Sequence, residues 1–324
     1  MPPMTTAKSA VLVLDSNRKL RDWTSKLVRT VEPSAVALSH LDGRSLAEFD
    51  LIVANYDGLD ESDRAELFDT VDSDHGDGPR LLLIASAAGD YELLFNELEK
   101  HRLTNLLAQQ REVSETELVV TTKKLLRRDI FGLEKYFGWG VEPVIAQVRS
   151  SADIRRVVDY ASNFASDFGV HPRLVENTAT VVDELITNAL YNAPVDGDGA
   201  PRFAHLPRTT PVQLEPGEEV TVGICCDGRT LGISVVDNFG AMTKEQSLQY
   251  LVRCLRHEDD TPGSDKGGAG LGLYMTFDCL NHLVLNIAAG VKTEVIGLID
   301  IRGSYRDFVN RGKSFNIFLD TADD

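Results

Sequence analysis

The chain has 324 residues, of which 43% are hydrophobic and 26% charged, a balance typical of soluble globular proteins, and its length favours about two domains. Its 50 acidic residues outnumber its 33 basic ones, and the net charge of −17 argues against nucleic acid or an anionic membrane as a partner. The four cysteines lack C-x-x-C spacing, and we find no signal peptide or apolar run of membrane length, so we expect a cytoplasmic protein.

The first part of the chain alternates strand-like and helix-like patterns. Residues 18–31 place apolar side chains at helical spacing, and two further amphipathic segments follow. Buried strands are predicted at AVLVLD (10–15), DLIVANYDG (50–58), RLLLIASA (80–87) and TNLLAQQ (104–110). After a tail at 1–7, residues 8–112 therefore predict a doubly wound α/β domain with a parallel five-stranded sheet, in which ligands bind at the carboxyl ends of the strands.

These strand ends resemble those of a response-regulator receiver domain. Asp15 matches an acid after the first strand and Ser86 a hydroxyl after the fourth, but Asn55 stands where the resemblance calls for the phosphoacceptor Asp. Gln109 likewise replaces the Lys after the fifth strand. An amide is a far weaker nucleophile than a carboxylate, so we interpret the domain as a pseudo-receiver; Asp57 is the alternative acceptor if the register is shifted by two residues.

A second domain is predicted after a charged, helix-prone connector at 113–140. Residues 141–324 begin with a strand (144–149), a helix (151–169) that Gly169 ends, and a further helix that contains VVDELITNALYNAP (181–194). A Pro- and Gly-rich surface loop (194–218) precedes the strands EVTVGICCDG (219–228) and TLGISVVDN (230–238).

Four motifs follow one another in the second domain. Glu184 and Asn188 lie about 40° apart on one helix, so both face the same ligand. Asp237 ends a strand in SVVDNFGAM, and KGGAGLGLYM (266–275) is a Gly-rich loop that opens a helix. Ser314 begins the terminal strand in GKSFNIFLD. Each motif alone has an ordinary interpretation, as a solvated helical pair, a turn residue or a flexible loop.

In this order the motifs resemble the GHKL ATP-binding fold, which histidine kinases, anti-sigma-factor serine kinases and type II topoisomerases share. The resemblance covers about residues 141–324 and implies an α/β sandwich whose mixed sheet is covered on one face by helices. It implies that Asn188 binds the Mg²⁺ ion of Mg·ATP, that Glu184 is the general base, and that Asp237, supported by Ser314, accepts a hydrogen bond from the adenine amino group.

The resemblance also assigns the phosphate site. A mobile lid would span residues 243–267, with a lid cation near the γ-phosphate and a loop around the phosphates. The lid cation implied is Lys266, and the loop residues implied around the phosphates are Gly268, Gly270, Leu271 and Gly272.

One motif departs from the family pattern. The usual D-x-G-x-G is replaced, since Phe239 and Ala241 stand in place of both glycines and Gly240 lies between them. Glycines widen the range of backbone angles, so we expect ATP binding with an altered lid or adenine affinity.

Two features of the sequence indicate which branch of the family the chain resembles. No histidine lies between His101 and His171, which excludes a histidine kinase of the ordinary layout. The segment 143–190 is similar to anti-sigma-factor serine kinases. The resemblance therefore implies a kinase that phosphorylates a Ser or Thr of a protein partner, such as an anti-anti-sigma or sigma factor, with a homodimer as a further expectation. The alternative is a nucleotide-binding adaptor with little catalysis.

Overall fold

The computed structural model describes residues 10–71, 78–86, 91–109, 114–256 and 275–320, with the backbone alone for 91–95 and 253–256. Two compact units divide the chain, Met1–Asp129 and Ile130–Asp324, and the boundary between them falls inside the stretch predicted as a connector. None of the described helices is long and apolar enough to cross a membrane.

The first unit is built on a parallel sheet. Its strands are β1 (Val11–Leu14), β2 (Val36–Leu38), β3 (Leu51–Asn55), β4 (Arg80–Ser86) and β5 (Asn105–Gln109). They lie in the order β2-β1-β3-β4-β5, and each neighbouring pair is parallel. All their carboxyl ends therefore meet at one edge.

Helices alternate with these strands. They are α1 (Arg18–Val28), α2 (Glu61–Val71), α3 (Tyr91–Lys100) and α4 (Glu115–Arg127). Asn17 caps α1 by accepting hydrogen bonds from the N–H groups of Lys19 and Leu20. Helix α4 packs against α1 and buries an apolar stripe that includes Leu118 and Leu125, so the first half of the predicted connector belongs to the first unit.

The second unit contains a mixed sheet. Its strands are β6 (Val144–Val148), β7 (Val220–Cys226), β8 (Thr230–Asp237), β9 (His282–Ala288), β10 (Lys292–Asp300) and β11 (Ser314–Leu319). Their order is β11-β9-β10-β8-β7-β6. Strands β11 and β9 are parallel, whereas every other neighbouring pair in this unit is antiparallel.

Three long helices accompany this sheet: α5 (Ile154–Asp167), α6 (Pro172–Tyr191) and α7 (Lys244–Arg256). Pro172 occupies the first turn of α6, where a missing N–H costs nothing, and apolar residues at helical spacing bury one face of this helix. Helix α6 packs against α5 and against β7, β8 and β10, so the sheet supports the helix that carries Glu184 and Asn188.

The coarse expectation of an α/β chain is confirmed. Gly169 adopts a φ of 69° just after α5, the left-handed conformation expected of a glycine that ends a helix. The antiparallel pair β9–β10, by contrast, was not among the predicted elements, and it forms the centre of the second sheet beside β8.

Candidate functional site

A buried carboxylate lies at the end of β8. Asp237 is 7% exposed, and its Oδ1 accepts hydrogen bonds from the N–H groups of Phe239 and Gly240 at 2.9 and 3.2 Å. Burial raises the pKa of Asp237, while these N–H groups lower it in part. The turn therefore fixes one carboxylate oxygen and orients the side chain.

The turn after Asp237 depends on its single glycine. Gly240 has a φ of 57°, and its carbonyl accepts a hydrogen bond from the N–H of Gly290 at 3.0 Å. A Cβ at this position would come within 2.6 Å of the Val291 nitrogen and 2.8 Å of the Gly290 nitrogen. Gly240 is therefore required both for its backbone angle and for the close approach of the β9–β10 turn.

Thr293 lies directly across from Asp237. The two residues are partners in the antiparallel β8–β10 ladder, and Thr293 is 2% exposed. Its side chain lies near enough to the Asp237 carboxylate to lower the pKa of Asp237, yet its Oγ1 makes no hydrogen bond of regular geometry to any described residue. The Thr293 side chain and backbone N–H nevertheless act as donors toward the Asp237 carboxylate, so the two side chains face each other across the ladder.

Ser314 does not support Asp237, contrary to the sequence-based expectation. In the sheet Ser314 lies opposite His282, and His282 lies opposite Leu298 on β10. Asp237, by contrast, lies opposite Thr293 on β10. Thr293 and Leu298 are five residues apart on β10, a separation of about 17 Å along the strand. Thr293 is therefore the hydroxyl at the position that the sequence analysis gave to Ser314.

Glu184 and Asn188 lie one turn apart on α6, but each has a partner that the sequence did not reveal. Both Glu184 oxygens accept hydrogen bonds from the Arg208 guanidinium at 3.0 Å. Asn188 is the residue that the resemblance assigns to Mg²⁺, and its Oδ1 atom accepts a hydrogen bond from the Asn192 amide at 2.9 Å. Both residues supply oxygen atoms, the ligand type that Mg²⁺ prefers.

The loop that carries Arg208 is fastened to the end of α6. The Tyr191 hydroxyl lies 3.0 Å from the Arg208 carbonyl and 2.7 Å from the Thr210 carbonyl. The Glu184 side chain is 15% exposed and that of Arg208 is 41% exposed, so the ion pair is half-covered. The segment predicted as a surface loop therefore places the Arg208 guanidinium against Glu184, the predicted general base.

The remaining members of the predicted phosphate site, Lys266, Gly268, Gly270, Leu271 and Gly272, lie outside the described residues. Of the predicted lid, the described part is helix α7, which begins at Lys244.

Residues that follow the strands of the first unit lie together at the edge of its sheet where the carboxyl ends of the strands meet. Asn55 donates a hydrogen bond from Nδ2 to Asp15 Oδ2 at 2.9 Å, and both side chains are buried. Burial raises the pKa of Asp15, and the Asn55 hydrogen bond lowers it in part. Asp57 is exposed and its Oδ2 accepts a hydrogen bond from the Ser86 N–H at 2.6 Å, so Asn55 and not Asp57 contacts Asp15. Gln109 is a buried residue at the end of β5.

Comparisons with known proteins give no relative that identifies the chain. No protein-family model matches, and no curated protein matches. A putative pilus assembly-related protein from Burkholderia pseudomallei is 16% identical, with a TM-score of 0.30, over 38% of this chain and 92% of that one. A GCN5-related glucosamine N-acetyltransferase region of a fungal multi-domain β-N-acetylglucosaminidase is 9% identical, with a TM-score of 0.26, over 73% of this chain and 25% of that one. These scores are too low to carry an argument about fold or function.

Asp237→Asn is expected to leave the protein as stable as the wild type at neutral pH, or more stable. Since burial raises the folded-state pKa above the ordinary 3.8, the native wild type binds more protons than the unfolded chain between 3.8 and the raised value. The stability of the wild type therefore falls as pH rises through that window. At neutral pH the full cost of burying the charged Asp237 carboxylate is present. Urea unfolding at pH 5 and pH 7 measures this difference.

The matched control for Asp237→Asn is Asp227→Asn, which removes an exposed carboxylate from the turn at the other end of β8. It should not gain stability. A loss of more than about 1 kcal/mol in Asp237→Asn at pH 7 would mean that the carboxylate stabilises the fold and is not a cost.

Asn55→Asp is expected to destabilise the protein by about 1–3 kcal/mol at pH 7, because it removes the hydrogen bond to Asp15 and buries a second carboxylate beside it. Asn55→Ala removes the hydrogen bond to Asp15 and the one that Asn55 Oδ1 accepts from the Asp57 N–H, but it adds no buried charge. The Asp variant alone should therefore recover stability on acidification, as followed by thermal unfolding at two pH values. Equal pH profiles for the two variants would contradict the proposed repulsion.

Proposed function

We propose that the second unit binds Mg·ATP as a GHKL-type domain and transfers the γ-phosphoryl group to a Ser or Thr of a protein partner, as anti-sigma-factor serine kinases do. In this proposal the first unit is a receiver-like domain that is not phosphorylated in the usual way and controls the second unit. The observation that carries the proposal is the buried pair Asp237–Thr293, a fixed carboxylate facing a hydroxyl that has no regular hydrogen bond.

The chemistry of this pair fits the Watson–Crick edge of adenine. The adenine N6 amino group is a donor, which the Asp237 carboxylate can accept, and N1 is an acceptor, which the Thr293 hydroxyl can satisfy. In the same pose guanine would place its O6 acceptor against the Asp237 carboxylate, an acceptor facing an acceptor, so this pose disfavours guanine. Because the Asp237 side chain is held by its own turn, the carboxylate is oriented before a nucleotide binds.

The α6 residues fit the phosphate end of the same ligand. Asn188 and Glu184 supply amide and carboxylate oxygens, which suit Mg²⁺ and the abstraction of a hydroxyl proton respectively. A Mg²⁺ ion held there would neutralise charge on the phosphates. Arg208 binds both Glu184 oxygens, so the general base is available to a substrate hydroxyl only after the guanidinium has moved toward another anion. The phosphates of ATP are such an anion.

The second candidate is a nucleotide-binding adaptor with little catalysis. The Arg208–Glu184 pair favours it, because a carboxylate whose two oxygens both accept hydrogen bonds from a guanidinium is a poor base. The amide at Asn55 is consistent with either candidate, since both use the first unit as a binding domain. The two candidates share the ATP site and differ only in phosphoryl transfer.

Calorimetric titration of Mg·ATP into the full chain tests the shared claim. The wild type should bind ATP, and GTP should bind about 10- to 100-fold more weakly, because its base edge opposes the pair. Asp237→Asn should lower ATP affinity by about 10- to 100-fold. In this variant the remaining oxygen still accepts from Phe239 and Gly240, so the new amide would point at the adenine amino group.

A pair of hydroxyl deletions provides the matched control. Thr293→Val should weaken ATP binding by about tenfold, whereas Ser314→Ala, in the same sheet but in the far row, should leave the affinity unchanged. Equal effects of the two substitutions, or equal affinity for ATP and GTP, would remove the basis for the adenine assignment.

Phosphoryl transfer separates the kinase from the adaptor. If the chain is a kinase, label from γ-labelled ATP appears on a co-purified partner, and Glu184→Gln abolishes transfer while ATP affinity is retained. In that case Arg208→Ala, which frees the carboxylate, should retain transfer. An ATP-binding wild type that labels no partner supports the adaptor.

A further inference from the structure

Three metal-ligating side chains converge in the first unit, apart from the Asp15–Asn55 contact. His40 follows β2, and Asp60 and Asp63 lie at the start of α2. The His40 Nδ1 atom lies 3.2 Å from Asp63 Oδ2 and 3.5 Å from Asp60 Oδ2. One ligand atom from each residue lies within 4.8 Å of the others. Elsewhere in the described part of the chain no comparable group of three such residues occurs.

Two of the three ligand-atom separations, those from His40, match the separations around a small metal ion. A tetrahedral ion with bonds of about 2.0–2.1 Å to nitrogen and oxygen holds its ligand atoms about 3.3 Å apart. The His40–Asp63 and His40–Asp60 separations of 3.2 and 3.5 Å bracket this value. One imidazole nitrogen and two carboxylate oxygens form a donor set that Zn²⁺ and its neighbours accept readily.

Backbone groups orient both carboxylates. The second oxygen of Asp63, Oδ1, accepts a hydrogen bond from the Leu41 N–H at 3.1 Å. The second oxygen of Asp60, Oδ1, accepts one from the Asp63 N–H at 2.8 Å. In both residues the Oδ2 atom is thereby directed at His40, an arrangement of outer partners that is common behind metal ligands.

We infer that His40, Asp60 and Asp63 form a binding site for a divalent transition-metal ion of the Zn²⁺ class. Asp63 is 5% exposed as a residue, whereas the side chains of His40 and Asp60 are 46% and 57% exposed. The three protein ligands therefore form one side of the site, and its solvent side leaves a fourth position for water or an external ligand. The ordinary alternative is a surface ion pair between His40 and the two carboxylates, which contributes about 0–1 kcal/mol and binds no metal.

The test is a titration of the full chain with ZnCl₂ in competition with a chromophoric chelator. The wild type should take up one ion with an affinity at least tenfold above that of His40→Ala or Asp60→Asn. With CoCl₂ the wild type should show the visible absorption of tetrahedral Co²⁺, and both variants should lose it. Asp60 is exposed, so its substitution spares the fold, which circular dichroism checks.

Two substitutions serve as matched controls. Asp69→Asn removes an exposed carboxylate from the same helix, and His205→Ala removes an exposed imidazole from the second unit. Both should bind the ion as the wild type does. Zn²⁺ affinity that is unchanged in His40→Ala and Asp60→Asn, or a wild type without the tetrahedral Co²⁺ spectrum, overturns the assignment.

Discussion

The antiparallel pairing of β8 with β10 is the constraint on which the candidate site depends. It places Thr293 directly opposite Asp237, and the close contact of Gly240 with the β9–β10 turn fixes the direction of the chain beyond the carboxylate. A buried carboxylate with a raised pKa costs stability, so its presence at a strand end calls for a compensating role. Recognition of a donor on a bound base supplies such a role, and this is why the ATP proposal rests on this pair.

The same helix links the two ends of the proposed nucleotide site. Helix α6 packs against β8 and β10, the strands that carry Asp237 and Thr293, and it also carries Glu184 and Asn188. Its carboxylate is held by Arg208, whose loop Tyr191 fastens to the end of the helix. If the proposed phosphates bind beside Glu184, they compete for Arg208, and the proposal therefore expects nucleotide binding to shift the loop that carries this residue.

Local patterns in the sequence predicted much of the fold, and non-local pairing accounts for what they missed. The strand ends of the first sheet were predictable because parallel strands bring their carboxyl ends together, and Asn55 does contact Asp15 across 40 positions. Thr293 was missed because β10 was not predicted and because register is set by pairing between distant segments. The Arg208–Glu184 pair depends on the path of a Pro- and Gly-rich loop, which no periodicity reveals. His40 and Asp63 are likewise joined only by the fold.

The most direct test of this account is a crystal structure of the full chain with Mg²⁺ and a non-hydrolysable ATP analogue. We expect the adenine N6 amino group within hydrogen-bond distance of an Asp237 carboxylate oxygen, N1 within reach of the Thr293 hydroxyl, and the phosphates beside α6. An adenine bound elsewhere, or a nucleotide whose base leaves the Asp237–Thr293 pair untouched, would contradict the account.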